Sequence, residues 1–535
     1  MSELALPQTP FSLSGFRLGV HWTSQECVNT SRAQGRAFSD FDFVEAAFDN
    51  KKEHINTIIR IFSVARQLGY QSVLLETLHD GHPLKDKEDD WLRRKNIDFE
   101  RSEVSRFSFF SCLPGEKRTN ENFLGYAVTK TDYYKRQQNS RVYVYESVLA
   151  PNHPERNCQS NEQPEYCKRN FLRCKREYEV EIGSEKFLIE GAMYAQQSVK
   201  SFVCAHVALR SVLSLLNEED ISYAEIDQIA GRACNDQNGL TPRQISRVLT
   251  KKGITARCIS KKQFERLGVS SFSPILYGFV ESGCPSLLAF VPRGGRVGHI
   301  VPVFGHTFDA DSWVPESRSG YLAGDGGYFS SEGWLDSFII HDDNYGPYKT
   351  LPRDYFKEDH IMLWGLHKDP AALCFERIEA AALGVCWDFI HRTQGQERLG
   401  HAWYNLFLHC ADERKLVLRS LFINKDQYLS HAGQYRQIDG NPFEESNLEL
   451  LKDRLPKKFW MVELSCRELF SAAHAKIGEV LFAISDDIDK EFSGEYAPLV
   501  LRLPGVILFY RNDFTKTTAL TCKTALTYRT PLFSQ

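Results

Sequence analysis

No apolar run in the chain reaches the ~18 residues that a membrane-spanning helix requires. The longest, Pro498 to Tyr510, is interrupted by Arg502 and Pro504. Met1 to Gly15 has neither a basic start nor an apolar core, so no secretory signal is expected. Charge of one sign is also missing. Sixty-five Lys and Arg stand against 69 Asp and Glu, a formal net charge of -4. That balance gives no electrostatic case for nucleic acid or an anionic membrane as partner. Close cysteine pairs are absent too. The fourteen cysteines are spread along the chain with no Cys-x-x-Cys. Only Cys158, Cys167 and Cys174, with His153 before them, form a loose group. Their spacing lacks the tight pairs of a zinc site, so they are read as free thiols in an exposed loop, with no metal. A soluble, cytoplasmic protein with mostly free, buried thiols is expected.

What is present is an ordinary globular composition, 42% hydrophobic and 25% charged, over 535 residues. That length suggests about three domains. We divide it at 1–190, 191–370 and 371–535. In the first region, His54 to Leu68 reads as a helix with Ile55, Ile58, Ile59, Phe62 and Ala65 on one face. Phe43 to Phe48 also looks helical. Gln71 to Leu75 and Arg141 to Val148 read as strands. The charged stretch His79 to Asn96, around Trp91, reads as a solvated helix or loop. Tyr178 to Ile182 and Phe187 to Ile189 read as a hairpin across Gly183-Ser184. In the third region Phe375 to Ile390 and Ala402 to Phe422 look helical. Phe459 to Leu464, Gly478 to Ile484 and Leu499 to Tyr510 look like strands. Both flanking regions are mixed α/β, and they carry no recognisable chemistry.

The middle region does. A glutamine pair, Gln196-Gln197, leads into Cys204, which opens a run apolar almost all round: Val207, Ala208, Leu209, Val212, Leu213. Such a run is a buried helix. A cysteine at its first turn sits in the field of unpaired N–H groups, which favours the thiolate. A nearby glutamine amide can donate to an oxyanion. Thr241 and Pro242 start a second helix as N-cap and first residue, and Gly253 ends it. His299 follows Gly298 at the head of the strand His299 to Phe304. Asp342 lies at the polar end of the strand from Ser337. A thiol nucleophile needs a base, and the base needs an orienting group. His299 and Asp342 are the best candidates. Asp343 or Asn344 can replace Asp342 if the strand end shifts register, and Gln196 competes with Gln197. His206 projects from the helix in another direction and is taken as structural, while His306 and His341 flank the same strands and compete with His299. Singly, each residue has an ordinary explanation as core cysteine, strand-end histidine or turn aspartate. Together, in this order, they specify thiol chemistry.

These residues resemble a papain-like cysteine peptidase. The likeness is to the bacteriocin-processing peptidases that cleave double-glycine leaders. It rests on Gln197, Cys204, Gly239-Leu240-Thr241 through Leu249 and Gly253, Gly298-His299-Ile300-Val301, and Ile339-Ile340-His341-Asp342. It covers about a third of the chain. Ala205 stands where the family usually has Gly, and Asp343 where Pro is common. The resemblance implies an α+β fold, a helix opening on the nucleophile and packed on an antiparallel sheet. It implies Cys204 as nucleophile, His299 as base, Asp342 as orienter and Gln197 as oxyanion donor. A peptide or protein substrate follows, with no cofactor. The flanking regions would select the substrate or bind partner proteins. Acyl transfer by the same triad, as in transpeptidases or transglutaminases, is the nearest alternative. A non-catalytic interaction protein, using surfaces near Trp403-Tyr404 and Phe459-Trp460, is the rival from another class. The Gly- and Ser-rich insert Thr307 to Gly333 is expected to form a lid.

Overall fold

The computed structural model describes most of residues 55–510, with its longest breaks at 152–169, 309–327, 394–415 apart from His409, 435–444 and 485–495. Outside that span it describes the strands Ser12–Leu13, Phe16–Thr23 and Thr517–Thr521.

The first sheet is antiparallel throughout, in the order β1 to β6. Its strands are β1 (Ser12–Leu13), β2 (Phe16–Thr23), β3 (Ser72–Leu78), β4 (Phe99–Phe110), β5 (Phe123–Tyr134) and β6 (Gln137–Leu149). Helix α1 (Ile55–Gln67) covers it with Ile58, Ile61, Phe62 and Ala65, all buried, at the spacing of one helical face. Phe62 meets Phe107 and Phe109 edge-on at 5.6 and 5.1 Å. Helix α2 (Pro83–Arg94) lies between β3 and β4. It belongs to the charged stretch expected to be solvated: Asp90, Arg93 and Arg94 are exposed, but one face is not. Asp89, Trp91 and Lys95 are buried, because each charge meets an opposite one from a distant segment. After β7 (Asn170–Leu172), the hairpin β8 (Arg176–Ile182) and β9 (Glu185–Gly191) alternates buried and exposed residues, and its buried face joins the core under the first sheet.

The middle of the chain builds the layer that holds the candidate site. Helices α3 (Cys204–Asn217), α4 (Tyr223–Ala230) and α5 (Pro242–Lys251) come first. Thr241 and Gln244 close a capping box at the start of α5, with Pro242 at the first turn. Then follow β10 (Thr255–Ser260), α6 (Lys261–Arg266), α7 (Ser273–Glu281), β11 (Ser286–Phe290), β12 (His299–Phe308), β13 (Phe329–Ser330), β14 (Leu335–Asp342), β15 (Gly346–Pro352) and β16 (Met362–His367). The second sheet runs β10-β16-β11-β12-β14-β15, all antiparallel, and β7 pairs with β12. Helix α3 is buried from Ala205 to Ser214 and packs on β12.

The third sheet runs β13-β17-β18-β19-β20-β21-β22. It contains β17 (Leu416–Asn424), β18 (Lys458–Cys466), β19 (Gly478–Phe482), β20 (Pro498–Leu503), β21 (Val506–Tyr510) and β22 (Thr517–Thr521). Helices α8 (Ile378–Thr393), α9 (Lys425–Gly433), α10 (Glu445–Arg454) and α11 (Arg467–Ala473) accompany it. Among the described residues, only β13 and β17 pair in parallel. The second and third sheets share one core, which includes Phe279, Phe338, Leu418 and Trp460. A chain of buried charges also joins them: Arg173, Glu281, Arg419, Glu463, Lys476, Glu479 and Arg502 alternate in sign. Buried ions of this kind persist only when each is paired.

The fold is mixed α+β with antiparallel sheets, and no described helix is long and apolar enough to cross a membrane. Several expectations change. Leu416 to Phe422 is a strand, because all of Leu416–Ile423 is buried on both faces and so shows no alternation. Leu499 to Tyr510 is two strands, not one. Cys174 is buried rather than loop-exposed, and burial pushes its thiol up to about 12. Phe459 and Trp460 are packed in the core, the ordinary reading of such aromatics, and offer no surface to an interaction partner. Most of the expected lid, the expected helix Phe43 to Phe48, Trp403-Tyr404, Cys158 and Cys167 lie outside the described residues. The end of the insert, Tyr328 to Ser331, is packed against the third sheet.

Candidate active site

Topology brings the site together. β12 and β14 are antiparallel neighbours, with Val303 opposite Ile340. The start of β12 therefore lies beside the end of β14. His299 is the first residue of the one and Asp342 the last of the other. Cys204 is the first residue of α3, which packs on β12, and it is only partly buried.

The His299 ring reaches the Cys204 thiol and the Asp342 carboxylate. Its Nε2 stands 3.4 Å from Asp342 Oδ1 and 3.5 Å from Asp343 Oδ1. Both separations exceed an ordinary N–H···O hydrogen bond. Catalytic contacts are often this long without substrate and tighten when it binds. Burial works against a charge on the ring. The pull of Asp342, the contact with Cys204 and the Asp343 charge outweigh it and raise His299 to about 10. Burial and the neighbouring Asp342 push Asp343 up to about 7, against the pull of His299.

The order Asp342-Asp343 puts two carboxylates on one ring for a local reason. Strand alternation would send them to opposite faces. The strand stops at Asp342, however, and Asp343 to Tyr345 form a turn. Asp342 Oδ1 accepts from the Asn344 N–H at 2.9 Å, which fixes that turn. The two alternatives for the orienting acid are thus both at the ring.

The glutamine pair separates cleanly. Gln196 is buried, and Val144 engages both its ends: its N–H donates to the Val144 carbonyl at 2.8 Å, and its Oε1 accepts from the Val144 N–H at 3.0 Å. Gln197 instead donates from Nε2 to Asn344 Oδ1 at 3.1 Å, beside the two aspartates. A primary amide has two N–H groups, so one remains for a ligand. Sequence reasoning had Asn344 only as a substitute orienter. Its contact is with Gln197, and nothing local in the sequence signals that pairing across 147 positions.

The other histidines are elsewhere. His206 donates Nε2–H to Asp227 at 2.8 Å. The carboxylate can only accept, which fixes that tautomer. Burial lowers His206, so it is neutral. His306 is fully buried against Glu281. His341 packs among Phe304, Tyr194 and Tyr348 with Nδ1 on the Met193 carbonyl, and burial lowers it to about 3.

No family model matches the sequence. No curated protein matches it. Among solved structures, the peptidase domain of Streptococcus ComA is a weak neighbour. That protein is a bifunctional ABC transporter of a quorum-sensing pathway. The identity is 16%, over 33% of this chain and 96% of that one, with a TM-score of 0.21. A likeness of that size does not establish a shared fold.

Proposed function

We propose that the chain is a cysteine peptidase of papain-like type that cleaves a peptide or isopeptide bond. One observation carries this: the ring of His299 is in contact with the Cys204 thiol, and its Nε2 stands 3.4 and 3.5 Å from the carboxylates of Asp342 and Asp343. In the proposed reaction His299 takes the thiol proton, and the Cys204 sulfur attacks the substrate carbonyl carbon. The remaining Gln197 N–H meets the oxyanion. His299 then passes its proton to the leaving amine, which departs as the C–N bond breaks. Water attacks the thioester, giving one proton to His299, and the thiol is restored. Asp342 holds the ring in place throughout.

The experiment is alkylation of the native protein by limiting iodoacetamide across pH, read by peptide mass spectrometry. Cys204 is expected to react first among the fourteen cysteines. His299→Ala is expected to remove the advantage. A Cys204 no faster than the other thiols, before and after limited proteolysis, would overturn the proposal.

A further inference from the structure

The carboxylate pair at His299 has more negative charge than its partners use. Among the described residues, Asp342 and Asp343 have no cationic partner except that one ring. His299 Nε2 and Asp343 Oδ2 are buried and lack a hydrogen-bond partner. The Asp343 side chain is only 4% exposed, so water does little to satisfy it. An unpaired buried carboxylate oxygen is costly.

The spacing is informative. Zinc bonds to histidine nitrogen and carboxylate oxygen are ~2.0–2.1 Å, so tetrahedral ligand atoms stand ~3.3–3.4 Å apart. His299 Nε2 is 3.4 Å from one carboxylate oxygen and 3.5 Å from the other. The three ligand atoms all lie within 4.8 Å of one another. Separations of this size also fit groups arranged around one ion. The other histidine–carboxylate pairs differ: His206 and Asp227 are at hydrogen-bond distance, and lysine or arginine stands beside Asp227.

We infer that His299 Nε2, Asp342 Oδ1 and Asp343 Oδ1 form a site for a divalent ion of the zinc class, and that filling it switches the thiol chemistry off. The ligand set, one imidazole and two carboxylates, suits zinc and leaves a fourth position for water. The switching half rests on the peptidase proposal. An imidazole bound to metal through Nε2 carries its one proton on Nδ1. It then has no lone pair left to accept the proton of Cys204. Removing the ion leaves one ring nitrogen free to accept a proton again, so the block is reversible.

The test is calorimetric titration of zinc chloride alone into the full chain, as wild type, Cys204→Ala, Asp343→Asn and His299→Gln. Thermal melts check that each variant is folded. One binding equivalent is expected in the wild type and in Cys204→Ala. It is expected to weaken by at least ~10-fold in Asp343→Asn and in His299→Gln, a loss that even outer-shell changes reach. An equivalent that survives both ligand substitutions, or vanishes in Cys204→Ala, would overturn the site. If Asp343→Asn does not fold, His299→Gln alone decides. For the switch, one equivalent of zinc should slow iodoacetamide labelling of Cys204 at least ~10-fold in the wild type and not in Asp343→Asn, whose ligand loss matches that weakening. Equal slowing in both would mean zinc sits on the thiol, and the switch fails. Calorimetry needs no turnover. A Cys204 that lacks selective reactivity would therefore sink the peptidase proposal and leave the metal site judged separately.

Discussion

Helix α3 carries a histidine–carboxylate pair on either side, and the two are built in opposite ways. Behind it, His206 meets Asp227 at 2.8 Å. Trp91 donates to the same carboxylate at 3.1 Å, and Lys95 and Arg232 stand at 3.8 and 3.7 Å. Every negative charge there is answered. Burial raises Asp227, but His206, Trp91 and Lys95 outweigh it and hold it below the usual range. In front, His299 faces two carboxylates and a partly buried cysteine, with no cation among the described residues. The rear carboxylate is surrounded by donors and cations and can only hold. The front pair is unsaturated and can exchange a proton or bind something. Proximity of a histidine to an acid therefore says little about chemistry. The balance of charge around the pair says more.

Substitutions at the two pairs break this comparison most directly. His299→Ala should cut the alkylation rate of Cys204 by ~10²–10⁴-fold, the usual worth of a positioned base. His206→Gln should leave that rate within a few-fold. Competitive labelling of both variants checks this, and equal losses would erase the distinction. Asp227→Ala should act on stability instead. It removes the buried charge that faces Lys95 and Arg232, and breaking a buried ion pair costs ~3–5 kcal/mol. Urea titration reads it, and a change below ~1 kcal/mol, within the range of surface pairs, would show the rear cluster to be dispensable.

The glutamines sharpen the same contrast on a smaller scale. Gln197→Ala should slow acylation of Cys204 by an activated ester ~10²-fold, the cost of one oxyanion donor. Gln196→Ala should leave acylation nearly unchanged and lower the thermal midpoint. A reversed pattern would exchange their roles.

A third carboxylate tests whether charge balance is what matters. Glu379 in α8 is buried, with hydroxyl partners Tyr328 and Ser420, and burial raises it to about 8. Its folded value lies above its unfolded value of 4.5, so the folded state holds the extra proton in between. Stability from this group is fully present below pH 4.5 and is lost as pH rises to about 8. Between pH 6.5 and 8 the loss should be ~2 kcal/mol at most, at 1.36 kcal/mol per unit. Glu379→Gln should flatten that slope in urea titrations. An unchanged slope would mean that the carboxyl is ionised in the fold.

Local signals in the sequence were legible. Thr241-Pro242 gave the start of α5, and the alternation in Tyr178 to Ile182 gave β8. Order along the chain pointed to Cys204, His299, Asp342 and Gln197, and the structure puts His299, Asp342 and Gln197 around one turn, with Cys204 at the ring. Non-local pairing was not legible. Trp91 and Lys95 looked solvated because Asp227, their partner, is over 130 positions away. Leu416 to Phe422 passed for helix because a strand buried on both faces has no period of two. Asp343 reaches the ring because the strand ends one residue earlier, a detail of register that spacing alone does not fix.

β7 pairs Asn170 to Leu172 with Thr307 to Gly305 of β12, the strand that begins at His299. Arg173 continues this by donating its N–H to the Phe304 carbonyl at 3.0 Å and its side chain to the Glu281 carbonyl at 2.9 Å. The strand bearing the proposed base is thus held on one edge by chain that precedes the glutamines. A graft cut at residue 190 would leave that edge bare, with unpaired backbone groups ready to join another sheet. The proposed site is therefore not portable: a lineage or an engineer moving it to a new context would have to carry the segment around Asn170 along with it.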